Sequence, residues 1–146
     1  MLDGLGYKML QKKVNATVAE ANESHSANVR DAASKVKAAM DLHVSTTNSL
    51  LSKYKTNPIG LLANSHEYLN FTGHTIVSWI WLRQGIIAAN KLASKEGVSP
   101  RDEAFYNGKI FTMRYFCDHE LIKTTAQADF LKNNPQTNIE MKDNYF

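Results

Sequence analysis

A chain of 146 residues with 43% hydrophobic composition is long enough to bury the core of one domain. Its formal net charge of +3 is too small an excess to indicate a nucleic-acid or membrane partner. The single cysteine, Cys117, excludes an intrachain disulfide and favours a reducing, cytoplasmic setting. The most apolar run, residues 75–82, is far short of the ~20 residues that span a bilayer.

The first part of the chain has the residue spacing of amphipathic helices. Small or apolar residues recur between residues 7 and 54 at steps of three and four, which is the period of one helical face. The polar segment 22–28 has low helix propensity and interrupts this stripe. The pattern predicts helices over about residues 7–23 and 26–54, or one long helix bent at this segment. The later part of the stripe is Val36, Met40, Val44, Thr47, Leu51 and Tyr54.

A further helix is predicted over residues 58–95. Asn57 suits an N-cap, Pro58 suits the first helical position, and Gly97 suits the C-terminal stop. The middle of this helix is apolar on nearly every side, which indicates a buried helix at the centre of the fold. The apolar residues are Ile76, Val77, Trp79, Ile80, Trp81, Leu82, Ile86 and Ile87.

The last long helix is predicted over residues 100–133. Ser99 and Asp102 have the spacing of an N-cap and its acidic partner, and Pro135 lies just beyond the end. Two apolar stripes run along it, which implies two neighbouring elements. The first stripe is Tyr106, Ile110, Met113, Cys117, Leu121, Thr124, Ala128 and Leu131. The second stripe is Phe105, Gly108, Phe111, Tyr115, Ile122, Ala126 and Phe130.

These elements predict an all-α fold. We expect residues 1–146 to form a single domain, an up-and-down bundle of three to four long helices, because no segment shows the alternation typical of strands. The tail over residues 136–146 is polar apart from a few apolar residues. It is expected either to dock by those residues or to be mobile.

No complete catalytic, cofactor-binding or metal-binding motif occurs in the sequence. His66 and His119 are each followed by glutamate, as in zinc-protease helices, but the second histidine of that motif is absent. The histidines are therefore expected to be hydrogen-bonded or exposed rather than ligands. Cys117 lies on an apolar stripe and is expected to be a small buried hydrophobe, because a reactive thiol needs an electropositive, partly open site.

The clustering of aromatic and cationic residues is the unusual feature of the second half. One interpretation is that these residues form the core of the bundle. The other is a subunit or domain interface, where aromatic residues and arginine are enriched. The candidates for interface or packing roles are Trp79, Trp81, Arg83, Phe105, Tyr106, Lys109, Arg114, Tyr115 and Phe116.

Several ordered segments of the second half support a family resemblance. They are Ala63-Asn64, Tyr68-Leu69-Asn70-Phe71-Thr72-Gly73, Trp79-Ile80-Trp81-Leu82-Arg83, Phe105-Tyr106-Asn107-Gly108-Lys109 and Arg114-Tyr115-Phe116, followed by the closing residues 141–146. Together they resemble the helical C-terminal extension of a subgroup of acyl-CoA dehydrogenases that includes the 3-methylmercaptopropionyl-CoA dehydrogenase type. Gly85 and Ile122 depart from the pattern, where alanine and proline are usual.

The resemblance implies a parent protein that dehydrogenates an acyl-CoA thioester with FAD, after a carboxylate removes the α proton. Residues 2–8 are similar to the segment just after the glutamate-glycine-threonine motif of those enzymes, although Tyr7 replaces an expected arginine. The chain is thus expected to begin just downstream of the chemistry, with no catalytic residue, cofactor or metal of its own. The implied partners are the dehydrogenase body or a second subunit of a homo-oligomer.

Two alternative functions stay open at this point. The chain could be a free-standing helical interaction module. It could also be a bundle that binds an acyl chain or another small ligand in an aromatic-lined cavity.

Overall fold

The computed structural model describes residues 4–54, 56–94 and 97–145, and over these residues it contains helices and no strand. The predicted all-α fold is confirmed. The α-helices are α1 (Leu5–Asn22), α2 (Ala27–Ser52), α3 (Pro58–Leu62), α4 (Ser65–Ser94), α5 (Pro100–Tyr115), α6 (Lys123–Asn133) and α7 (Thr137–Glu140). A π-helical segment, Phe116–Glu120, joins α5 to α6, and a short 3-10 turn, Asp143–Tyr145, follows α7.

The polar segment after α1 separates two helices. The chain leaves α1 after Asn22 and becomes extended at Ser26, with φ −79° and ψ 117°, before α2 begins. The Arg30 guanidinium donates a hydrogen bond to the Ser24 carbonyl at 2.6 Å and so stabilises the turn. A connection this short makes α1 and α2 antiparallel neighbours.

The predicted helix over residues 58–95 is wrong as a single element. Its start is as expected, because Pro58 is the first helical residue and the Asn57 side chain accepts a hydrogen bond from the Gly60 N–H at 2.9 Å. However, α3 ends at Leu62, and α4 begins at Ser65 after a turn.

Long-range polar contacts explain this break. The Asn64 amide donates to the Asn134 side-chain oxygen at 3.0 Å and to the Pro135 carbonyl at 2.9 Å. The Asn134 amide in turn donates to the Gly60 carbonyl at 3.0 Å. Asn134 itself has a left-handed backbone with φ 48°, which ends α6 and turns the chain towards α3. We call these residues the asparagine clamp.

The start of α5 follows the predicted cap. The Ser99 hydroxyl accepts a hydrogen bond from the Asp102 N–H at 3.2 Å, and the Asp102 carboxylate accepts one from the Ser99 N–H at 3.2 Å. This reciprocal pair satisfies two backbone donors at the helix start.

The predicted helix over residues 100–133 is interrupted by the π-helical segment. The Leu121 N–H donates to the Phe116 carbonyl at 2.9 Å, five residues back. The buried residues Met113, Cys117 and Leu121 are spaced by four and four, which drifts about 80° off one face of a regular α-helix. The wider π turn offsets this drift and keeps all three side chains in the core.

The core has two clusters of buried apolar residues. The larger cluster joins α1, α2, α4 and α5 with the π-helical segment, and the smaller joins α2, α4 and α6. α4 packs against α1, α2, α5 and α6, so it is the central helix of the bundle. None of the helices in the described ranges combines the length and hydropathy that a bilayer crossing requires.

Candidate interaction surface

The second apolar stripe of α5 and α6 lies on the surface along its whole length. We call Phe105, Gly108, Phe111, Tyr115, Ile122, Ala126 and Phe130 the outer stripe. Phe111 is 64% exposed and Ile122 is 67% exposed, whereas the first stripe is buried apart from the half-buried Tyr106. The pattern predicted one neighbouring element for each stripe. Within the described ranges, the bundle supplies a neighbour for the first stripe but not for the outer stripe. Among the described residues, no element covers the outer stripe.

One side of α4 is also exposed, which corrects the prediction of a helix buried all round. Leu82 and Ile86 are buried, but Ile80 is 42% exposed and Ile87 is 60% exposed. Ile80 lies two residues from Leu82, about 200° around the helix at 3.6 residues per turn. The neighbouring helices cover only the side that carries Leu82. The uncovered side of α4 therefore presents isoleucine to solvent.

Trp79 connects α4 to α1, and Arg83 lies beside the Trp79 ring. Trp79 is half-buried against the main core cluster, and its indole N–H donates a hydrogen bond to the Thr17 hydroxyl at 2.9 Å. The Arg83 guanidinium lies 5.4 Å from the centre of the Trp79 ring, within the range of a cation–π contact. Trp79 thus packs within the bundle, whereas the exposed Arg83 contacts Trp79 on its own helix.

Lys109 joins the aromatic residues of α4 and α5. Its ammonium lies 5.3 Å from the ring centre of Trp81 and 5.3 Å from that of Phe105. Phe105 meets Tyr106 edge to face, with ring centres 5.5 Å apart. We call the surface recess beside these residues, of about 260 Å³, the lysine recess. Its lining residues are Gln84, Ile87, Ala88, Phe105, Tyr106 and Lys109.

The remaining candidates form separate pairs. The Arg114 guanidinium lies 5.3 Å from the Phe111 ring centre, and the Tyr115 ring stacks on His119 at 4.5 Å. Phe116 is half-buried at the start of the π-helical segment. The structure therefore brings Trp81, Phe105, Tyr106 and Lys109 together, and keeps the others apart from them.

A buried polar network, which the spacing analysis missed, surrounds His43. The stripe of α2 was assigned to Val44, but His43 is the buried residue, at 2% exposure, and Val44 is only half-buried. The His43 ring stacks on Phe71 with ring centres 4.8 Å apart. A step of three after Met40, instead of four, would have indicated His43. The sequence of α2 alone does not indicate a buried histidine there, because its hydrogen-bond partners lie on other helices.

Both ring nitrogens of His43 have hydrogen-bond partners. The Thr72 hydroxyl donates to the Tyr68 carbonyl at 2.8 Å, so at 2.9 Å it can only accept from His43 Nε2. Burial lowers the pKa of His43 to about 4, so the ring is neutral at pH 7. The other ring nitrogen, Nδ1, is then an acceptor, and the Tyr7 hydroxyl donates to it at 2.7 Å, so both nitrogens are satisfied. An imidazole in this state has no lone pair available for a metal or a substrate.

Cys117 and its surroundings offer no site for thiolate chemistry. The side chain is buried, and burial raises its pKa to about 11, so the thiol stays protonated at neutral pH. Beside it is a recess of about 330 Å³, whose charged residues are Lys35 and Asp118, 2.7 Å apart. Across the described ranges, no three histidine, cysteine or acidic side chains are close enough to share a metal ion.

The comparisons with known proteins identify a family for this chain. Residues 10–142 match the model of a family described as "Acetyl-CoA dehydrogenase C-terminal like". Because the match spans most of the sequence, the chain belongs to this family of helical C-terminal-like domains. A search of curated proteins found no match. The matched range contains the outer stripe, the lysine recess and the His43 partners on α2 and α4.

Proposed function

We propose that this chain is the C-terminal helical domain of an FAD-dependent acyl-CoA dehydrogenase, non-catalytic alone, which packs on the dehydrogenase body or on another subunit. Family membership supports the kind of parent protein. The ordered motifs of the second half support the 3-methylmercaptopropionyl-CoA dehydrogenase-like subgroup. A cytoplasmic setting stays a prediction from the single cysteine.

The outer stripe is the observation that carries the packing role. Its large residues are apolar or aromatic and exposed, and such contiguous patches mark interaction sites. Covering half of one aromatic side chain removes about 100 Å² from water, which contributes ~2.5 kcal/mol before the costs of association. Several such side chains in a row therefore make the outer stripe the surface that supports the packing role.

The recess that Cys117 lines does not fit a flavin dinucleotide. The recess beside Cys117, at about 330 Å³, places Lys35 and Asp118 in its lining and has no glycine-rich loop of backbone N–H groups to hold a pyrophosphate. We therefore propose that the parent's FAD is held outside this domain, and we assign no step of the dehydrogenation to residues of this chain.

Sedimentation velocity of the purified chain tests the packing role. An exposed apolar stripe should make the chain self-associate, and Phe111→Glu should weaken that association by about tenfold or more, because it places a charge in the contact. Met9→Glu is the matched control, since Met9 is also an exposed apolar residue, at 55%, but lies on α1. A chain that stays monomeric at about millimolar concentration would contradict packing on another subunit, and self-association of Phe111→Glu as strong as that of the unmodified chain would contradict the role of the outer stripe.

Absorbance near 450 nm tests the non-catalytic assignment on the same samples. The purified chain should carry no flavin. Flavin that copurifies at a ratio near one to one would overturn this part of the proposal.

One observation favours acyl-chain binding as a second candidate function. A pocket of about 200 Å³ lies between α2, α3, α4 and α6, and most of its lining is leucine, with Thr47 and Tyr68 supplying hydroxyl groups. The leucines are Leu50, Leu51, Leu61, Leu62 and Leu131. Trp79 and Trp81 do not line it, so calorimetry with octanoyl-CoA is a better test than tryptophan fluorescence. The absence of binding heat would count against this function.

A further inference from the structure

We infer that the lysine recess is a carboxylate-binding position, which takes an aspartate or glutamate side chain, flanked by apolar residues, from a protein partner. The inference rests on the proposed function, in which the outer stripe is a contact surface, because Phe105 belongs both to the outer stripe and to the lining of the lysine recess. The inference adds which chemical group of the partner, a carboxylate, would bind in the lysine recess.

The Lys109 ammonium is unusual in its surroundings. Lys35 lies 2.7 Å from both Asp31 and Asp118, and its charge is thereby balanced. Lys109 is half-buried between two rings, and within the described part of the chain no carboxylate or other acceptor lies within bonding distance of it. An ammonium group has three N–H donors, and ring faces satisfy its charge only in part. A carboxylate from a partner would accept hydrogen bonds from the Lys109 ammonium and balance its charge.

The rings also hold the ammonium in position. Contacts at 5.3 Å with Trp81 and Phe105 restrict a long side chain that would otherwise lose rotamer freedom on binding. Part of the ordering cost is therefore met before a partner arrives, which strengthens a charged contact. Gln84 and Tyr106 line the same recess, and neither makes a side-chain hydrogen bond elsewhere in the described ranges. They supply further donors for an anion.

The size and composition of the recess select a side-chain carboxylate. About 260 Å³ accommodates a few side-chain atoms, and Ile87, Ala88 and Phe105 provide apolar walls. Lys109 is the only cation in the lining, so a phosphate would be poorly balanced there. A second copy meeting this face by two-fold symmetry would present the same recess, whose lining has no carboxylate. Charge complementarity therefore favours a carboxylate-bearing protein surface, rather than the same recess of a second copy, as the partner.

The test uses the full chain and two capped tripeptides, N-acetyl-Leu-Glu-Leu-amide and N-acetyl-Leu-Gln-Leu-amide. Binding is followed by the NMR shift of the Trp81 indole N–H. The glutamate peptide should bind about tenfold more tightly than the glutamine peptide, because a charge-assisted hydrogen bond contributes more than a neutral one. Lys109→Met should abolish this difference, and Lys109→Arg should restore most of it.

Lys91→Met is the matched control, since it removes an exposed lysine from the end of α4 and should leave the difference unchanged. Equal binding of the two peptides, no binding at millimolar concentration, or an unchanged preference in Lys109→Met would each overturn the inference. Hexanoate binding more tightly than the glutamate peptide would also overturn it, by identifying a site for free acids. If the preference is absent but Phe111→Glu still weakens association, the contact surface stands and only the carboxylate position fails.

Discussion

Acidification should destabilise this fold through His43 before it acts on the carboxylates. Burial lowers the pKa of His43 to about 4, from an ordinary value of 6.5. Below pH 6.5 the unfolded chain takes up a proton that the folded chain excludes, so stability falls as the pH falls, until the folded state also protonates near pH 4. The full effect is about 3 kcal/mol, of which ~2 kcal/mol is lost between pH 7 and pH 5.

That loss is a large fraction of the 5–15 kcal/mol by which domains are typically stable, so urea unfolding at pH 7 and pH 5 should resolve it. His43→Gln, which does not titrate, should lose about 2 kcal/mol less than the wild type over the same interval. Hydrogen bonds lower the pKa values of Asp102, Asp118 and Glu120. The stability that these carboxylates contribute to the fold is therefore lost only at lower pH. The interval from pH 7 to pH 5 therefore separates the loss due to His43 from the losses due to these carboxylates, and the comparison with His43→Gln assigns it to that residue.

NMR of the imidazole gives an independent measurement on the unmodified chain. The His43 ring signals should not move between pH 7.5 and pH 5. A titration centred near pH 6.5 would refute the reasoning, since it would show that the ring is charged without unfolding. The same conclusion would follow if His43→Gln and the wild type lost equal stability.

Further predictions concern single hydroxyl groups and are measured by urea unfolding at pH 7. Thr46→Val should stabilise the fold by about 1 kcal/mol, because the buried Thr46 hydroxyl has no hydrogen-bond partner among the residues that the structure describes. Thr75→Val should destabilise the fold by about 1 kcal/mol, because the buried Thr75 hydroxyl donates a hydrogen bond to the Phe71 carbonyl. Equal effects of the two changes would contradict this account. Tyr7→Phe should cost about 1–2 kcal/mol by leaving His43 Nδ1 without a donor. Ser99→Ala should cost about 1 kcal/mol through loss of the α5 cap, and no loss would contradict the cap's role.

The parts of the fold that local spacing specifies could be predicted. The caps at Asn57 and Ser99 each act on a backbone group three residues away, so their partners are adjacent in the sequence. The buried stripe of α5 and α6 repeats at steps of three and four, which only a helix places on one face. These contacts depend on the order of residues along the chain and on little else.

The candidate site could be predicted only in part. Aromatic and cationic residues in the second half indicated either core or interface, and the structure assigns some to each. Trp79 contacts α1 at Thr17, whereas Phe111 is exposed. Both residues lie on apolar stretches of a helix, and they differ in whether a neighbouring helix covers them. No pattern within one helix contains that information.

The sequence by itself determined that this protein is helical, where α2, α3 and α5 begin, and which residues make up the two apolar stripes of the last long helix. Only the tertiary structure decided the break before α4, the burial of His43 and the exposure of the outer stripe. The physical reason is the range of the contacts involved. The break depends on Asn64 meeting Asn134, and His43 is buried because Tyr7 and Thr72 bring it hydrogen-bond partners from α1 and α4. Such partners lie tens of residues away along the chain and become neighbours only when the helices pack.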